Sequence, residues 1–236
     1  MKKLFLIFAI ATIATLGANA QVSFGIQAGA NFAMGKSSTD ITIPGYALTN
    51  DPKVGVFGGF LAEIPFGEKI AFRPEFNFIQ KGSKTGATII GFGSPESKIT
   101  LNYIELPLNV VYKLPVGSGN FFFGLGPALA FGLSGKDKYT DPSSPSDNKT
   151  YDIKFDGKKS DDITDPNDND GHLKRFDVGL NIIAGYKLPM GVFFRVAYTH
   201  GFMDVDPNKD NASPDDRSSY KNRGVSLGIG YMFGSK

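Results

Sequence analysis

The sequence lacks both cysteine and tryptophan. Without cysteine, no disulfide can cross-link the fold and no lipid can be attached to an N-terminal cysteine. An exported chain of this composition must therefore be stabilised by its own hydrogen bonds and packing. After the first twenty residues the sequence also lacks an apolar run long enough for a spanning helix. The nearest candidate, residues 121–133, is short and is interrupted by glycine and proline.

The N-terminus has the pattern of a secretory signal peptide. Lys2 and Lys3 form a basic start, residues 4–16 are apolar, and the small residues Ala18 and Ala20 precede a cleavage point before Gln21. We expect residues 1–20 to be removed, which leaves a single domain over residues 21–236. An uncleaved membrane anchor is the alternative, but the apolar stretch is shorter than the roughly 20 residues of a spanning helix.

Basic and acidic residues are almost equal in number. The chain has 25 basic and 23 acidic residues, and two of the lysines and none of the acids belong to the signal peptide. The mature chain is therefore formally neutral. Domains that bind nucleic acids usually carry a strong basic excess on one face, so we expect no nucleic-acid partner.

Glycine and phenylalanine are abundant, with 29 and 21 residues, and apolar positions recur with a period of two. Between Leu101 and Pro115, the even-numbered positions from 104 to 112 are apolar, whereas the odd-numbered positions include Glu105 and Asn109. Alternate side chains of a strand point to opposite faces. This stretch exceeds the usual strand of about 5–6 residues, and it is long enough to cross a bilayer, which takes about 9–11 tilted residues.

The same alternation recurs along the chain and predicts eight strands, over residues 22–34, 53–64, 69–82, 101–115, 120–134, 174–188, 192–203 and 220–233. The connections between them alternate long and short, beginning with a long one. This arrangement is typical of bacterial outer-membrane barrels. We predict an all-β fold, an eight-stranded antiparallel up-and-down transmembrane β-barrel with long external loops, short periplasmic turns and both termini in the periplasm.

A soluble β-sandwich or a lipocalin-like barrel is the alternative fold, and it would turn the apolar face inward. The membrane barrel is favoured by the alternating loop lengths, by the long strands and by the aromatic residues on the face that we assign to the outside. Four of these aromatic residues are candidates for a girdle at the membrane interface: Tyr112, Tyr186, Tyr198 and Tyr231.

Several motifs resemble those of a known family. They are RPEF at residues 73–76 with QKG at 80–82, NYIELPL at 102–108, FGLGP at 123–127 and RFDVGL at 175–180. On these motifs the chain resembles the PorT-type outer-membrane β-barrel family of Bacteroidetes over essentially the whole mature chain. The resemblance implies an eight-stranded barrel. It also implies a link to protein secretion, with which the name-giving member is associated, although most relatives have no assigned activity.

Several charged residues fall on the face that we assign to the barrel interior. An eight-stranded barrel is just wide enough for its own side chains, and unpaired buried charge is costly. We therefore expect a structural charge network that fills the lumen, rather than an ion path or a catalytic carboxylate pair. Its members are Glu63, Arg73, Glu75, Lys81, Glu105, Arg175, Asp177 and Arg195, and Lys113 and Lys187 share their face.

Two other features could carry chemistry. Residues 161–171 are rich in aspartate, but no register matches the spacing of an EF-hand calcium loop, so we expect a solvated acidic loop. A hydrolase would need a histidine with a serine and a carboxylate. His172 and His200 are the only histidines, and His200 has no serine at a telling spacing. We predict no catalytic, cofactor-binding or metal site.

These observations favour a small non-enzymatic protein of the outer membrane, surrounded by outer-membrane lipid. Its loops at residues 135–173 and 204–219 are the expected contact surfaces for a protein or glycan ligand. A component of a protein secretion or envelope-assembly machine is the second hypothesis, and a lipid-modifying enzyme is the third. A narrow diffusion pore ranks low because the lumen is expected to be filled.

Overall fold

The computed structural model describes residues 22–37, 46–89, 95–159, 168–210 and 219–234. Short 3₁₀ helices cover Pro145–Asp147 and Pro207–Asp210. No helix within the described ranges is long and apolar enough to span a membrane. The strands are β1 (Ser23–Ala33), β2 (Lys36–Ser37), β3 (Tyr46–Asp51), β4 (Lys53–Pro65), β5 (Ile70–Ile89), β6 (Glu96–Val116), β7 (Gly119–Thr140), β8 (Lys149–Lys154), β9 (Gly171–His172), β10 (Phe176–Lys187), β11 (Val192–Gly201), β12 (Tyr220–Lys221) and β13 (Arg223–Phe233).

Eight of these strands close into an antiparallel ring. The order is β1, β4, β5, β6, β7, β10, β11 and β13, and β13 pairs back with β1. Ile26 of β1, for example, lies opposite Phe60 on one side and Tyr231 on the other. The predicted eight-stranded up-and-down barrel is therefore confirmed, and no sheet edge remains around the wall.

The assignment of inward and outward faces from the sequence is confirmed along the wall strands, with Arg175 as an exception. Large apolar side chains such as Phe24, Phe60 and Leu125 are exposed on the outside, whereas Glu63 and Asn109 are buried inside. A soluble barrel would show the opposite arrangement. An exposed apolar band around a polar interior is the pattern that a lipid environment requires.

Two apolar clusters lie inside the barrel, one at each end. The cluster near the short turns includes Leu61, Val111, Phe122, Phe193 and Met232. The cluster near the long loops includes Phe57, Ile79, Leu101, Tyr103, Ile153, Phe155, Val205 and Tyr220, and we call it the apolar cap. Buried polar and charged side chains occupy the space between the two clusters.

Three strands continue well beyond the wall. β5, β6 and β7 have 20, 21 and 22 residues, whereas β10 and β11 have 12 and 10. β3 pairs with the outer part of β5, and β8 pairs with the outer part of β7. We call β3, β8 and the outer parts of β5, β6 and β7 the mouth sheet. Residues 83–89, 96–97 and 135–140, which the sequence predicted as loop, therefore lie in strands, whereas residues 90–94 of the same predicted loop lie outside the described ranges.

A β-bulge in β7 changes which side chains face inward. Tyr103 pairs with Gly132 and Asn102 pairs with Ser134, so Leu133 has no partner in β6. One extra residue exchanges the two faces of a strand beyond it. Below the bulge the even-numbered residues of β7 are buried inside. Above it Asp137 takes the inner face, and Lys136 and Lys138 are exposed on the outer face.

Candidate functional site

The charged residues of the lumen form three groups, of which the first lies near the short turns. Glu63 forms an ion pair with Arg73 and lies 3.1 Å from Lys113 Nζ. The Arg73 guanidinium carbon stands 4.2 Å from the centre of the Phe122 ring, so this cation is also covered by an aromatic face. Both groups of the buried ion pair are thus compensated.

The second group surrounds Glu75, which is only 3% exposed. One carboxylate oxygen, Oε2, accepts hydrogen bonds from Arg195 Nη1 at 2.6 Å, Gln27 Nε2 at 2.8 Å and Asn77 Nδ2 at 3.0 Å. The other oxygen accepts one from Asn109 Nδ2 at 3.3 Å. Four side-chain donors therefore surround this carboxylate, three of them on Oε2 and one on Oε1, and the positive charge of Arg195 balances its negative charge.

The third group surrounds Lys81 in the upper half of the lumen. Its Nζ lies 2.6 Å from Glu105 Oε2 and 3.7 Å from Asp177 Oδ2. Asp177 Oδ2 also accepts a hydrogen bond from Asn222 Nδ2 at 2.9 Å. The Tyr103 ring centre stands 5.0 Å from Lys81 Nζ and contributes a further contact to the cation.

Arg175 does not belong to these groups, so its predicted place in the lumen is wrong. Its side chain is exposed, its Nε donates to the carbonyl of Phe155 at 2.9 Å, and its guanidinium lies 5.4 Å from the outward-facing ring of Phe131. β10 begins only at Phe176. The period-two alternation that would turn Arg175 inward therefore does not apply to it.

The described residues leave no channel through the barrel. The void beside Lys81, Asn222 and Arg223 measures about 10 Å³, which is room for one water molecule. Above it the apolar cap closes the lumen, with Tyr103, Phe155 and Tyr220 among its members. The charges of the three groups are paired with one another, and the buried Lys53 donates to the carbonyl of Lys81 at 3.4 Å.

Glu105→Ala is expected to leave the barrel closed to ions, although it weakens the fold. Lys81 keeps Asp177 as its partner, and the apolar cap still seals the lumen. Single-channel recording in planar bilayers should therefore show no open-channel current for the parent or for the variant. A steady open-channel current in Glu105→Ala, absent from the parent, would contradict this interpretation of the lumen.

A second feature lies above the cap, a pocket of about 590 Å³ on the inner face of the mouth sheet, which we call the mouth pocket. Ligand sites commonly have volumes of about 300–1,000 Å³. The described lining contains three carboxylates and no lysine or arginine. It consists of Asn50, Ser83, Thr85, Ser97, Ile99, Asp137, Tyr151, Ile153, Asn169, Asp170, Gly171, His172, Leu173, Asp206, Asn208 and Tyr220.

The floor and wall of the mouth pocket are held in place by hydrogen bonds. Tyr220 at the floor donates to Ser83 Oγ at 3.2 Å, and burial raises the pKa of Tyr220 to about 12. Ser97 Oγ donates to Asp137 Oδ1 at 2.6 Å across the strands β6 and β7. Tyr220 and Ser97 are therefore held in place as neutral hydroxyl groups. The second carboxylate oxygen of Asp137 remains as a hydrogen-bond acceptor.

His172 is the most informative residue of the mouth pocket, and its side chain is only 3% exposed. Its Nδ1 lies 2.8 Å from Asp156 Oδ1, and since an ionised carboxylate can only accept, Nδ1 carries the proton. Burial opposes the ionisation of Asp156, but the hydrogen bonds from His172 and the Lys158 N–H outweigh it and hold the pKa of Asp156 below its ordinary value. Nε2 of His172 has no hydrogen-bond partner among the described residues.

This arrangement does not form a hydrolytic triad. The polar atom recorded beside His172 Nε2 is Asp168 Oδ2, at 3.6 Å, and it is a carboxylate rather than a hydroxyl nucleophile. His200 bonds to the Tyr198 hydroxyl at 3.0 Å and packs against Phe202. Among the residues that the structure describes, neither histidine is hydrogen-bonded to the serine that the hydrolase hypothesis needs.

The acidic stretch is described only from Asp168 onward, and residues 160–167 lie outside the described ranges. Lys154 Nζ stands 3.3 Å from Asp168 and 2.8 Å from Asp170. The backbone N–H of Asp170 and the lysine together lower the pKa of Asp168. Lys154 therefore pairs with both aspartates of the described part of this stretch.

The outer face of the mouth sheet has the opposite charge. A groove of about 780 Å³ on this face is lined by five cations, Lys98, Lys136, Lys138, Lys154 and Arg175, and by two carboxylates, Asp152 and Asp156. Sequence reasoning missed both this groove and the mouth pocket. The alternation Lys136-Asp137-Lys138 is the signal that could have shown them, once β7 was known to continue past Ser134.

The chain is similar to outer-membrane proteins of known structure. No curated protein matches the chain. Among solved structures it is similar to OprG of Pseudomonas aeruginosa (14% identity, TM-score 0.46, 91% of this chain and 97% of that one), to Neisserial surface protein A (13%, 0.43, 90% and 99%) and to Ail of Yersinia pestis in complex with the heparin analogue sucrose octasulfate (12%, 0.40, 90% and 99%).

Most of the chain matches one protein family. Residues 18–206 match the family described as outer membrane protein beta-barrel domain. The match begins just before the first strand and extends past β11, so it includes seven of the eight strands of the ring. The closed ring, the exposed apolar band and this match agree on the outer membrane as the location. The chain belongs to the outer membrane protein beta-barrel domain family.

Proposed function

We propose that this chain is a small non-enzymatic outer-membrane protein whose barrel is a scaffold and whose mouth pocket binds a ligand outside the cell. The observation that carries the proposal is a pocket of about 590 Å³ above a filled lumen, whose described lining contains three carboxylates and no lysine or arginine. Residues 1–20 act as the cleaved signal peptide. The paired lumen charges, from Glu63 to Arg195, hold the wall together and take no part in binding.

The lining of the mouth pocket selects for a neutral ligand with many hydroxyl groups, such as a glycan. Asp137 and Asp206 present carboxylate oxygens that accept hydrogen bonds and repel anions, and Asp170 pairs with Lys154 at 2.8 Å. Tyr151 supplies an aromatic side chain to the wall, and a sugar ring can pack its C–H face against such a ring. The ligand class follows from the excess of acceptors over cations.

Asp137→Asn is expected to weaken glycan binding about 10- to 100-fold, the range that corresponds to one hydrogen bond to a charged group. The measurement is binding of the purified, detergent-solubilised protein to a panel of neutral oligosaccharides. Asp152→Asn is the matched control. It also replaces a carboxylate by an amide, but at a well-exposed position on the opposite face of the mouth sheet. Equal binding by both variants, or no binding by the parent, would refute the proposal.

A role in secretion or envelope assembly is the second candidate, and it rests on the resemblance to the PorT-type family. In that case the partner proteins would contact the barrel wall or the periplasmic turns. The Asp137→Asn variant separates the two functions, because its change lies in the mouth pocket, far from those turns. Ligand binding that is lost while secretion is unchanged favours the first candidate, and the reverse favours the second.

A further inference from the structure

The outer face of the mouth sheet contains a row of lysines that the fold does not require. Lys98 lies directly opposite Lys138 in the ladder between β6 and β7, and Lys84 of β5 lies opposite Lys98. Like charges at directly opposed positions destabilise a sheet. Lys84 is compensated by Glu96 at 2.8 Å. Lys98 and Lys138 have no carboxylate within 4 Å in the described part of the chain, so an anion bound between them would relieve their repulsion.

The position of this row relative to the membrane is set by its neighbours. Phe78, Ile104 and Leu133 are the last apolar outward side chains of β5, β6 and β7 in this region. A polar row stands directly above them, in which Gln80 donates to Asn102 at 3.2 Å and Asn102 donates to Ser134 at 3.0 Å. The apolar band of the wall therefore ends at this polar row.

Lys136 lies two residues above the polar row, and Lys98 and Lys138 lie four residues above it. At a rise of about 3.3 Å per residue, these steps are about 7 and 13 Å along the strands, and less along the membrane normal because barrel strands tilt. The headgroup layer extends about 5–8 Å beyond the hydrocarbon on each side. Long lysine side chains can bend their ammonium groups down into that layer.

We infer that the groove on the outer face of the mouth sheet binds the phosphate groups of a lipid headgroup in the outer leaflet. Lys98, Lys136 and Lys138 supply the charge from above. Arg175 closes the lower end beside Phe131, whose side chain lies in the lipid-facing band. Lys136 lies 3.9 Å from the exposed Asp152, and Lys154 pairs with Asp168 and Asp170. Lys98, Lys138 and Arg175 have no carboxylate partner within 4 Å in the described part of the chain, and this unbalanced charge favours an anion. The continuity with the apolar wall favours an anion that is attached to acyl chains over one free in solution.

The test uses the full barrel in phosphatidylcholine nanodiscs with an increasing fraction of bisphosphorylated lipid A. Binding is followed as the rise in the unfolding temperature, read from the heat-dependent shift of the barrel on gels. The double variant Lys98→Gln and Lys138→Gln should need about 25-fold more lipid A to reach half of the maximal rise in unfolding temperature. Each lysine near anionic lipid contributes about fivefold to the binding affinity. High salt should reduce the effect in the parent.

The control is the double variant Lys69→Gln and Lys149→Gln, which removes two exposed lysines that do not line the groove. It should respond to lipid A as the parent does. In pure phosphatidylcholine the groove variant should unfold at the same temperature as the parent or higher, because the like-charge repulsion is gone. This result separates lost binding from lost folding.

Three results would overturn the inference. The first is an unchanged response of the groove variant to lipid A. The second is an equal loss in the control variant. The third is competition by excess inorganic phosphate that abolishes the effect, which would assign the groove to a soluble anion. Since the groove and the mouth pocket lie on opposite faces, glycan binding should be the same in the groove variant and the parent.

Discussion

Glu75→Ala is expected to lower the free energy of unfolding by about 3–5 kcal/mol, the usual cost of removing one partner from a buried ion pair. Glu75 accepts hydrogen bonds from four side chains, and Arg195 is the cation among them. Without the carboxylate, the Arg195 guanidinium remains inside the barrel with Gln27 Oε1, at 2.8 Å, as its recorded hydrogen-bond acceptor. The cost is therefore mainly that of an uncompensated buried charge.

The measurement is urea-induced unfolding of the barrel in detergent or bilayers, followed by circular dichroism, since the chain has no tryptophan to report by fluorescence. Glu96→Ala is the matched control. It removes the same carboxylate from the Lys84 pair, whose side chains are 36% and 38% exposed, and exposed pairs contribute about 0–1 kcal/mol. Equal costs for the two variants would show that burial of the Glu75 group has been misjudged.

Leu129→Arg is expected to destabilise the barrel by about 2–4 kcal/mol, the cost of arginine near the bilayer midplane. The outward apolar residues of β7 extend from Phe121 to Leu133 around Pro127, so Leu129 lies only two residues from their midpoint. Its side chain is exposed on the outside of the wall. An arginine there must either enter hydrocarbon or draw water into it.

Ser134→Arg provides the control for this substitution. Ser134 lies on the same strand and face, but in the polar row that ends the apolar band. Arginine near the interface costs only about 0–1 kcal/mol. Equilibrium folding into phosphatidylcholine bilayers measures both variants. If Leu129→Arg folds as well as Ser134→Arg, the outward face assigned to β7 is wrong.

The wall of the barrel could be predicted almost completely from the sequence. Each wall strand has lipid on one side and packed side chains on the other, so its apolar residues must alternate. For the same reason Glu63, Glu75, Glu105 and Asp177 could be assigned to the lumen. Their partners could not be assigned, because a pair such as Glu75 and Arg195 is separated by 120 residues and depends on the closure of the ring.

The mouth sheet could not be predicted in the same way. Both of its faces are in water or at the headgroup layer, so neither needs to be apolar, and the alternation that marks a strand disappears. The outer parts of β5 and β7 therefore read as loops rich in glycine, serine, lysine and aspartate. They are strands because the ladders of the wall continue upward, as the pairing of Lys84 with Lys98 and of Lys98 with Lys138 shows.

By itself, the sequence determined the eight-stranded barrel, its inner and outer faces and its place in the membrane, because lipid imposes a period of two on every wall strand. The tertiary structure decided the charge of each face of the mouth sheet. The bulge at Leu133 turns Asp137 toward the mouth pocket and Lys136 and Lys138 toward the groove on the outer face. The face that each of these side chains takes depends on a shift of one residue in the register between β6 and β7. The sequence of β7 alone does not reveal that shift.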